Sequence, residues 1–75
     1  MYRYLPFEGE CFSPSLGRYR SFGLRALRET PERDEELMLL PDISTDFAFV
    51  LRLAHLLTRR QLPPIHLLAA MEDLL

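Results

Sequence analysis

The sequence contains few of the residues on which cross-links, metal sites and catalytic centres depend. It has a single cysteine, Cys11, in 75 residues, so an internal disulfide bond is excluded. Its three glycines are scattered rather than clustered, which excludes a glycine-rich phosphate-binding loop. It has no lysine, and nine arginines against eleven acidic residues give a formal net charge of −2. A charge so close to balance provides no general attraction to nucleic acid or anionic lipid.

Long apolar runs are also missing. No stretch approaches the roughly 20 apolar residues that a membrane-spanning helix needs. The N-terminus, MYRYLPFEGE, has no basic region followed by an apolar run, so we expect no signal peptide. A lone thiol fits a reducing compartment. Together these features predict a soluble cytoplasmic protein that makes no membrane contact.

The first half of the chain has the pattern of a three-stranded sheet, with strands predicted over residues 2–7, 18–29 and 36–41. In the second strand Phe22, Leu24 and Ala26 fall on one face at a period of two. Gly23, inside that strand, predicts a bulge or a close approach of another backbone segment. The intervening segments EGECFSPSLG and TPERDEE have the composition of loops.

The second half has helical periodicity and predicts helices over residues 45–60 and 64–75. Ser44 is the expected N-cap of the first helix, and Asp46 places a negative charge at the positive end of the helix dipole. On a helical wheel the apolar arc of this helix spans about 220°, against the ~100° stripe of an ordinary surface helix. Proline at position 64 fits the first residue of the second helix.

These elements predict one α+β domain over residues 1–75, a three-stranded antiparallel β-meander followed by two α-helices packed on one face (β-β-β-α-α). At 75 residues the chain is near the lower limit for independent folding. Its thin core would gain stability from a partner chain.

Several short motifs resemble those of a family of small bacterial proteins that is catalogued only as a domain of unknown function. The motifs are Tyr2-Arg3-Tyr4, Phe22-Gly23-Leu24, Asp42-Ile43-Ser44-Thr45-Asp46, and Leu62-Pro63-Pro64-Ile65-His66-Leu67 closing on Glu72-Asp73-Leu74-Leu75. The similarity covers most of the chain and is strongest over its last third. It implies a small cytoplasmic bacterial protein and assigns no catalytic or binding residue.

Nothing in the sequence predicts a reaction centre, a cofactor or a metal site. His66 and Asp73 share a helix face but are separated by about 10 Å along the axis, too far for a direct hydrogen bond. Glu72 points to another part of the wheel. Cys11, His55 and His66 show no zinc-type spacing. We therefore predict a protein that is not an enzyme, and we interpret the polar residues of the tail as structural.

Surplus apolar surface is the feature that predicts a function. Two helices cover one face of a three-stranded sheet, yet apolar side chains such as Leu27 and Met38 or Leu40 should point to the other face. Contiguous exposed apolar patches usually mark interaction sites. We therefore predict a small protein-interaction or regulatory module that acts as a homodimer or docked on another protein. The predicted contact residues are Leu27, Met38, Phe49, Leu53 and Leu56.

Two alternatives remain open at the level of sequence. One is a nucleic-acid-associated regulator that uses Arg18, Tyr19, Arg20 and Arg25, because aromatics on a sheet can stack on bases. The other is a phage or mobile-element inhibitor that blocks a larger enzyme by mimicry.

Overall fold

The computed structural model describes residues 1–74 and confirms the α+β fold, three antiparallel strands followed by two helices. The elements are β1 (Tyr2–Ser13), β2 (Gly17–Glu29), β3 (Asp34–Ser44), α1 (Phe47–Arg60), a 3₁₀ turn (Pro64–His66) and α2 (Leu67–Leu74). The strands form one sheet in the order β1-β2-β3. The predicted end of the last helix, Leu75, lies outside the described residues. None of the helices over 1–74 is long and apolar enough to cross a bilayer.

The β1–β2 hairpin is longer than predicted. Residues 8–13 and 17 were expected in a loop, but the strand pairing continues from Glu8 opposite Phe22 to Ser13 opposite Gly17. Two ion pairs run along this part of the ribbon, Glu8–Arg20 at 2.6 Å and Glu10–Arg18 at 3.6 Å. Only a three-residue turn remains between the strands.

The core lies between one face of the sheet and the helices. The predicted apolar face of β2 contributes Leu24 and Ala26, which are fully buried. The core also contains Tyr4 from β1, Val50, Leu53, Ala54 and Leu57 from α1, and Leu67 and Met71 from α2. Met38 and Leu40 pack against this core, so the expectation that one of them points to the opposite face is wrong.

The N-terminus of α1 is capped by Asp46 rather than by the expected Ser44. The Asp46 carboxylate accepts hydrogen bonds from the backbone N–H groups of Ala48 and Phe49 at 3.0 and 3.4 Å. Ser44 stabilises the cap indirectly, since its hydroxyl accepts from the Asp46 N–H at 3.0 Å. The helix therefore begins two residues later than predicted, at Phe47.

The C-terminus of α1 closes one edge of the sheet. Gln61 ends the helix in the left-handed conformation, with φ at 51°. Its side-chain amide accepts from the N–H of Tyr2 and donates to the C=O of Tyr2, each at 2.9 Å. The Thr58 hydroxyl accepts from the N–H of Tyr4 and donates to its C=O, at 2.9 and 3.3 Å. The side chains of Gln61 and Thr58 thus form the backbone hydrogen bonds that a neighbouring strand would otherwise form with the start of β1.

The end of β3 is irregular and crosses closely over β2. A Cβ atom on Gly23 would overlap the carbonyl oxygen of Leu40 and would lie 2.8 Å from the Cα of Pro41. Asp42 has a left-handed conformation with φ at 56°. The predicted close approach at Gly23 is therefore confirmed, and it is made by the backbone of Leu40 and Pro41.

Candidate protein-interaction surface

The predicted contact residues occupy different environments from those expected. Leu27 lies on the sheet face opposite the helices but is only 5% exposed, and Leu53 is a core residue with 6% exposure. Because both side chains are buried, neither can contact a partner. The prediction that these two residues are exposed contact residues is wrong. Met38, Phe49 and Leu56 are half-buried. The large apolar side chains that are exposed belong to other residues, among them Leu39, Ile65 and Leu68.

An apolar groove lies between the end of β3 and α2. It is a shallow depression of about 460 Å³, open to solvent, and is lined by Leu40, Pro41, Asp42, Ile43, Leu68, Met71 and Glu72. Met71 forms its floor as part of the core, whereas Leu68 is 57% exposed. Ile65, one helical turn before Leu68, is 84% exposed and extends the apolar surface beyond the groove. A volume of this size fits one or two apolar side chains of a partner.

The wall of the groove formed by β3 is held by a set of hydrogen bonds to β2. The Asp42 carboxylate accepts from the Ser21 hydroxyl at 2.7 Å and from the Tyr19 hydroxyl at 3.0 Å. The Ser21 hydroxyl also lies 3.2 Å from the carbonyl oxygen of Ser44. Ser21 is buried, so these bonds fix the irregular segment against the sheet.

The polar rim of the groove is acidic. The hydrogen bonds from Ser21 and Tyr19 lower the pKa of Asp42 from its ordinary value, so this carboxylate is ionised at neutral pH. Glu72 is exposed on the α2 side. Among residues 1–74 neither carboxylate forms an ion pair, and no basic residue lines the groove. An apolar floor beside two carboxylates favours an occupant that carries apolar and cationic groups together.

The arginines of the nucleic-acid alternative are engaged with carboxylates of the same sheet. Arg18 and Arg20 form the two ion pairs of the hairpin, and Arg25 donates to Glu36 at 3.0 Å. The Tyr19 hydroxyl donates to a carboxylate of β3. A concave surface of about 580 Å³ lies over the hairpin, but its charged lining consists of these paired side chains.

The residues weighed for chemistry are not brought together. His55 and His66 are both exposed, and Cys11 is a half-buried free thiol opposite Tyr19 on the hairpin. Hydrogen bonding to Asp42 raises the pKa of Tyr19, which keeps the phenol protonated. Within residues 1–74, no group of three or more His, Cys, Asp or Glu side chains is placed to hold a metal ion. His66, one of the tail residues interpreted as structural, is solvent-exposed.

The groove was not predicted from the sequence. The third strand was predicted to end at Pro41, whereas it continues to Ser44. The available signal was the spacing of Ile65 and Leu68, which places both on one face of a helical segment while Leu67 and Met71 occupy another.

The fold is that of a small α+β domain, with an acidic-rimmed apolar groove between β3 and α2. The chain belongs to a family of unknown function, DUF6514, whose model matches residues 2–75. This confirms the resemblance to a family of unknown function. Neither the curated proteins nor the solved structures include a significant match to the chain.

Proposed function

We propose that this protein is a non-catalytic, cytoplasmic interaction module that binds a short segment of another protein in the groove between β3 and α2. The observation that carries the proposal is the combination of an apolar groove with two rim carboxylates that lack a basic partner among residues 1–74. Contiguous exposed apolar surface of this kind usually marks a site of interaction.

The chemistry of the groove favours one kind of occupant. One or two aliphatic or aromatic side chains would contact Leu68, Met71 and Ile43. Arg or Lys residues beside them would approach Asp42 and Glu72. The partner segment is therefore apolar at its centre and basic at its flanks. An inhibitor of a larger enzyme, one of the alternatives predicted from the sequence, would belong to the same class if the enzyme presents such a segment.

The nucleic-acid alternative has weaker support. Phosphate binding by Arg18, Arg20 or Arg25 would compete with the carboxylate that each arginine already contacts. The net charge of −2 adds no attraction.

Selection of peptides from a random display library against the immobilised protein tests the proposal. We expect enriched peptides that combine an aromatic or aliphatic residue with neighbouring Arg or Lys. Leu68→Asp should weaken their binding by about ten- to a hundredfold, since burial of one leucine side chain is worth ~1.5–3 kcal/mol. Glu72→Gln should weaken binding less and should reduce its dependence on salt.

Leu16→Asp is the matched control. Leu16 is 73% exposed in the turn between β1 and β2, so its replacement introduces the same charge away from the groove. Affinity should be unchanged. Enriched peptides that are acidic, or that bind the Leu68→Asp variant as well as the wild type, would contradict the proposal.

A further inference from the structure

The β1–β2 hairpin extends well beyond the rest of the sheet. β3 pairs with β2 only as far as Phe22, which lies opposite Ser44, whereas β1 and β2 stay paired as far as Ser13 opposite Gly17. At a rise of ~3.4 Å per residue, this hairpin arm of residues 9–21 reaches about 17 Å past the end of β3. A two-stranded ribbon without a packing partner is only marginally stable in water, so we expect the arm to contact another surface.

The end of the arm combines apolar surface with one cation. Phe12 and Leu16 are each 73% exposed. Arg18 lies directly opposite Phe12 in the ribbon, so the two side chains project from the same face. No other residue from 11 to 19 is charged. The contact of Arg18 with Glu10, at 3.6 Å, is between two exposed side chains and contributes little, which leaves the guanidinium able to contact a second carboxylate.

An apolar side chain beside a cation is the chemistry that the groove favours, since the groove has an apolar lining and the exposed carboxylate of Glu72. The arm does not reach the groove of its own molecule. It leads away from the end of β3, whose residues 40–43 form the groove wall. The arm of a second copy has no such restriction.

The arm and the groove lie toward the same end of the sheet. β2 begins at the hairpin turn, and the last residues of β3 lie beside Phe22, at the base of the arm. Two copies that meet at this end can therefore place each arm in the groove of the other. Both contacts are then related by one two-fold axis, which gives a closed dimer rather than an open chain of molecules.

We propose that the groove between β3 and α2 is occupied by the hairpin arm of a second copy of this chain, with Phe12 against Leu68 and Met71 and with Arg18 beside Glu72. This occupant depends on the function proposed for the groove. In the dimer both grooves are covered, so a segment of another protein has to displace the arm before it binds. Self-association thereby controls access to the groove.

Analytical ultracentrifugation across micromolar concentrations, with and without a peptide selected against the groove, tests the proposal. We expect a monomer–dimer equilibrium without higher species, and conversion of the dimer to the monomer by excess peptide. A protein that is monomeric throughout this range would overturn the proposed dimer. A dimer that persists in saturating peptide would also overturn it, because its interface would lie outside the groove.

Two charge reversals locate the contact. Arg18→Glu and Glu72→Arg should each raise the dimer dissociation constant by about tenfold, because two attractive contacts become repulsive. An equimolar mixture of the two variants should dimerise as tightly as the wild type, since each arm then meets a groove of opposite charge. Arg33→Glu, an exposed arginine in the turn between β2 and β3, is the matched control and should leave the dissociation constant unchanged. A mixture that associates no better than its components would contradict the arrangement.

Phe12→Asp separates this result from that of the groove itself. It should raise the dimer dissociation constant by about tenfold or more, while a selected peptide binds it as it binds the wild type in dilute solution, where both are monomeric. Circular dichroism verifies the fold of each variant. Peptide binding by a protein that does not dimerise would overturn the arm as occupant and leave the proposed function standing. A dimer weakened by Phe12→Asp, together with a failure to select any peptide, would support the arm and count against the binding of another protein.

Discussion

At the scale of single residues, Gly23 shows how one missing side chain positions the candidate site. The carbonyl of Leu40 and the Cα of Pro41 occupy the space that a Cβ would take. This approach lets β3 continue past Pro41 and form one wall of the groove. The sequence alone predicted the close approach, because a glycine inside an otherwise apolar strand usually marks a bulge or a tight backbone contact.

Gly23→Ala should destabilise the protein by about 1–3 kcal/mol, the usual cost of overpacking a tight contact. Gly9→Ala is the matched control in the neighbouring strand, since its Cβ would meet only Phe7 Cε2 at an ordinary 3.8 Å. Urea unfolding of both variants measures the difference. Equal stability of the two variants would show that β3 does not lie closely over Gly23.

Asp42 provides a second residue-scale test, through pH. Its pKa is lower in the folded protein than in the unfolded chain because Ser21 and Tyr19 donate hydrogen bonds to the ionised carboxylate. The resulting stabilisation is complete above the unfolded pKa of ~3.9 and is lost as the pH falls through the lower folded value.

We therefore expect Asp42→Asn to be less stable than the wild type at neutral pH and to approach it in acid. Tyr19→Phe, which removes one donor, should show a smaller dependence on pH than the wild type over the same range. Urea midpoints measured from neutral pH down into the acid range give both comparisons. A stability difference that does not change with pH would rule out this role of the carboxylate.

At the scale of elements, hydrophobic periodicity predicted the type and the order of the strands and helices correctly. The errors of the prediction lie at the ends of these elements. Residues 8–13 were assigned to a loop because glycine, serine and proline are frequent in and beside this segment. The strand persists because Glu8 and Glu10 pair across the ribbon with Arg20 and Arg18, which a local pattern does not reveal. The helix cap was misplaced by two residues because Ser44 and Asp46 both have capping side chains.

The junction between α1 and β1 also depends on long-range contacts. Gln61 follows the helix as an ordinary polar residue in the sequence, yet it satisfies both backbone groups of Tyr2, 59 positions away. Thr58 does the same for Tyr4. Sequence reasoning had no signal for this closure of the sheet edge, since neither residue differs from a solvent-exposed polar side chain until the fold is formed.

Gln61→Ala should lower the free energy of unfolding by about 1–3 kcal/mol, because it leaves the Tyr2 backbone groups without their partners. Gln61→Gly should recover about 1 kcal/mol of that loss by relieving the left-handed conformation. Arg60→Ala, at an exposed neighbouring position, should stay within ~0.5 kcal/mol of the wild type. Chemical denaturation measures the free energy of unfolding of the three variants. A Gln61→Ala variant as stable as the wild type would show that the bonds from Gln61 to the Tyr2 backbone do not stabilise the sheet edge.

At the scale of the whole molecule, the α+β order and the presence of surplus apolar surface could be predicted, but its location could not. Two of the five predicted contact residues, Leu27 and Leu53, are buried in the folded chain. The exposed apolar surface lies instead at Leu68 and Ile65, because Leu67 and Met71 already occupy the core-facing side of α2. The choice between these faces depends on how α2 sits on β3, and no local pattern encodes that packing.

The central claim is that the groove between β3 and α2 contacts an apolar, basic segment of a protein partner. Site-specific photo-crosslinking tests it most directly, with a photoreactive amino acid at position 68 and, as control, at position 16, in cells that produce the protein. We predict that mass spectrometry of the position 68 adducts identifies a recurrent partner segment with an aliphatic or aromatic residue flanked by Arg or Lys. Absence of adducts specific to position 68, or adducts to acidic segments, would contradict the account.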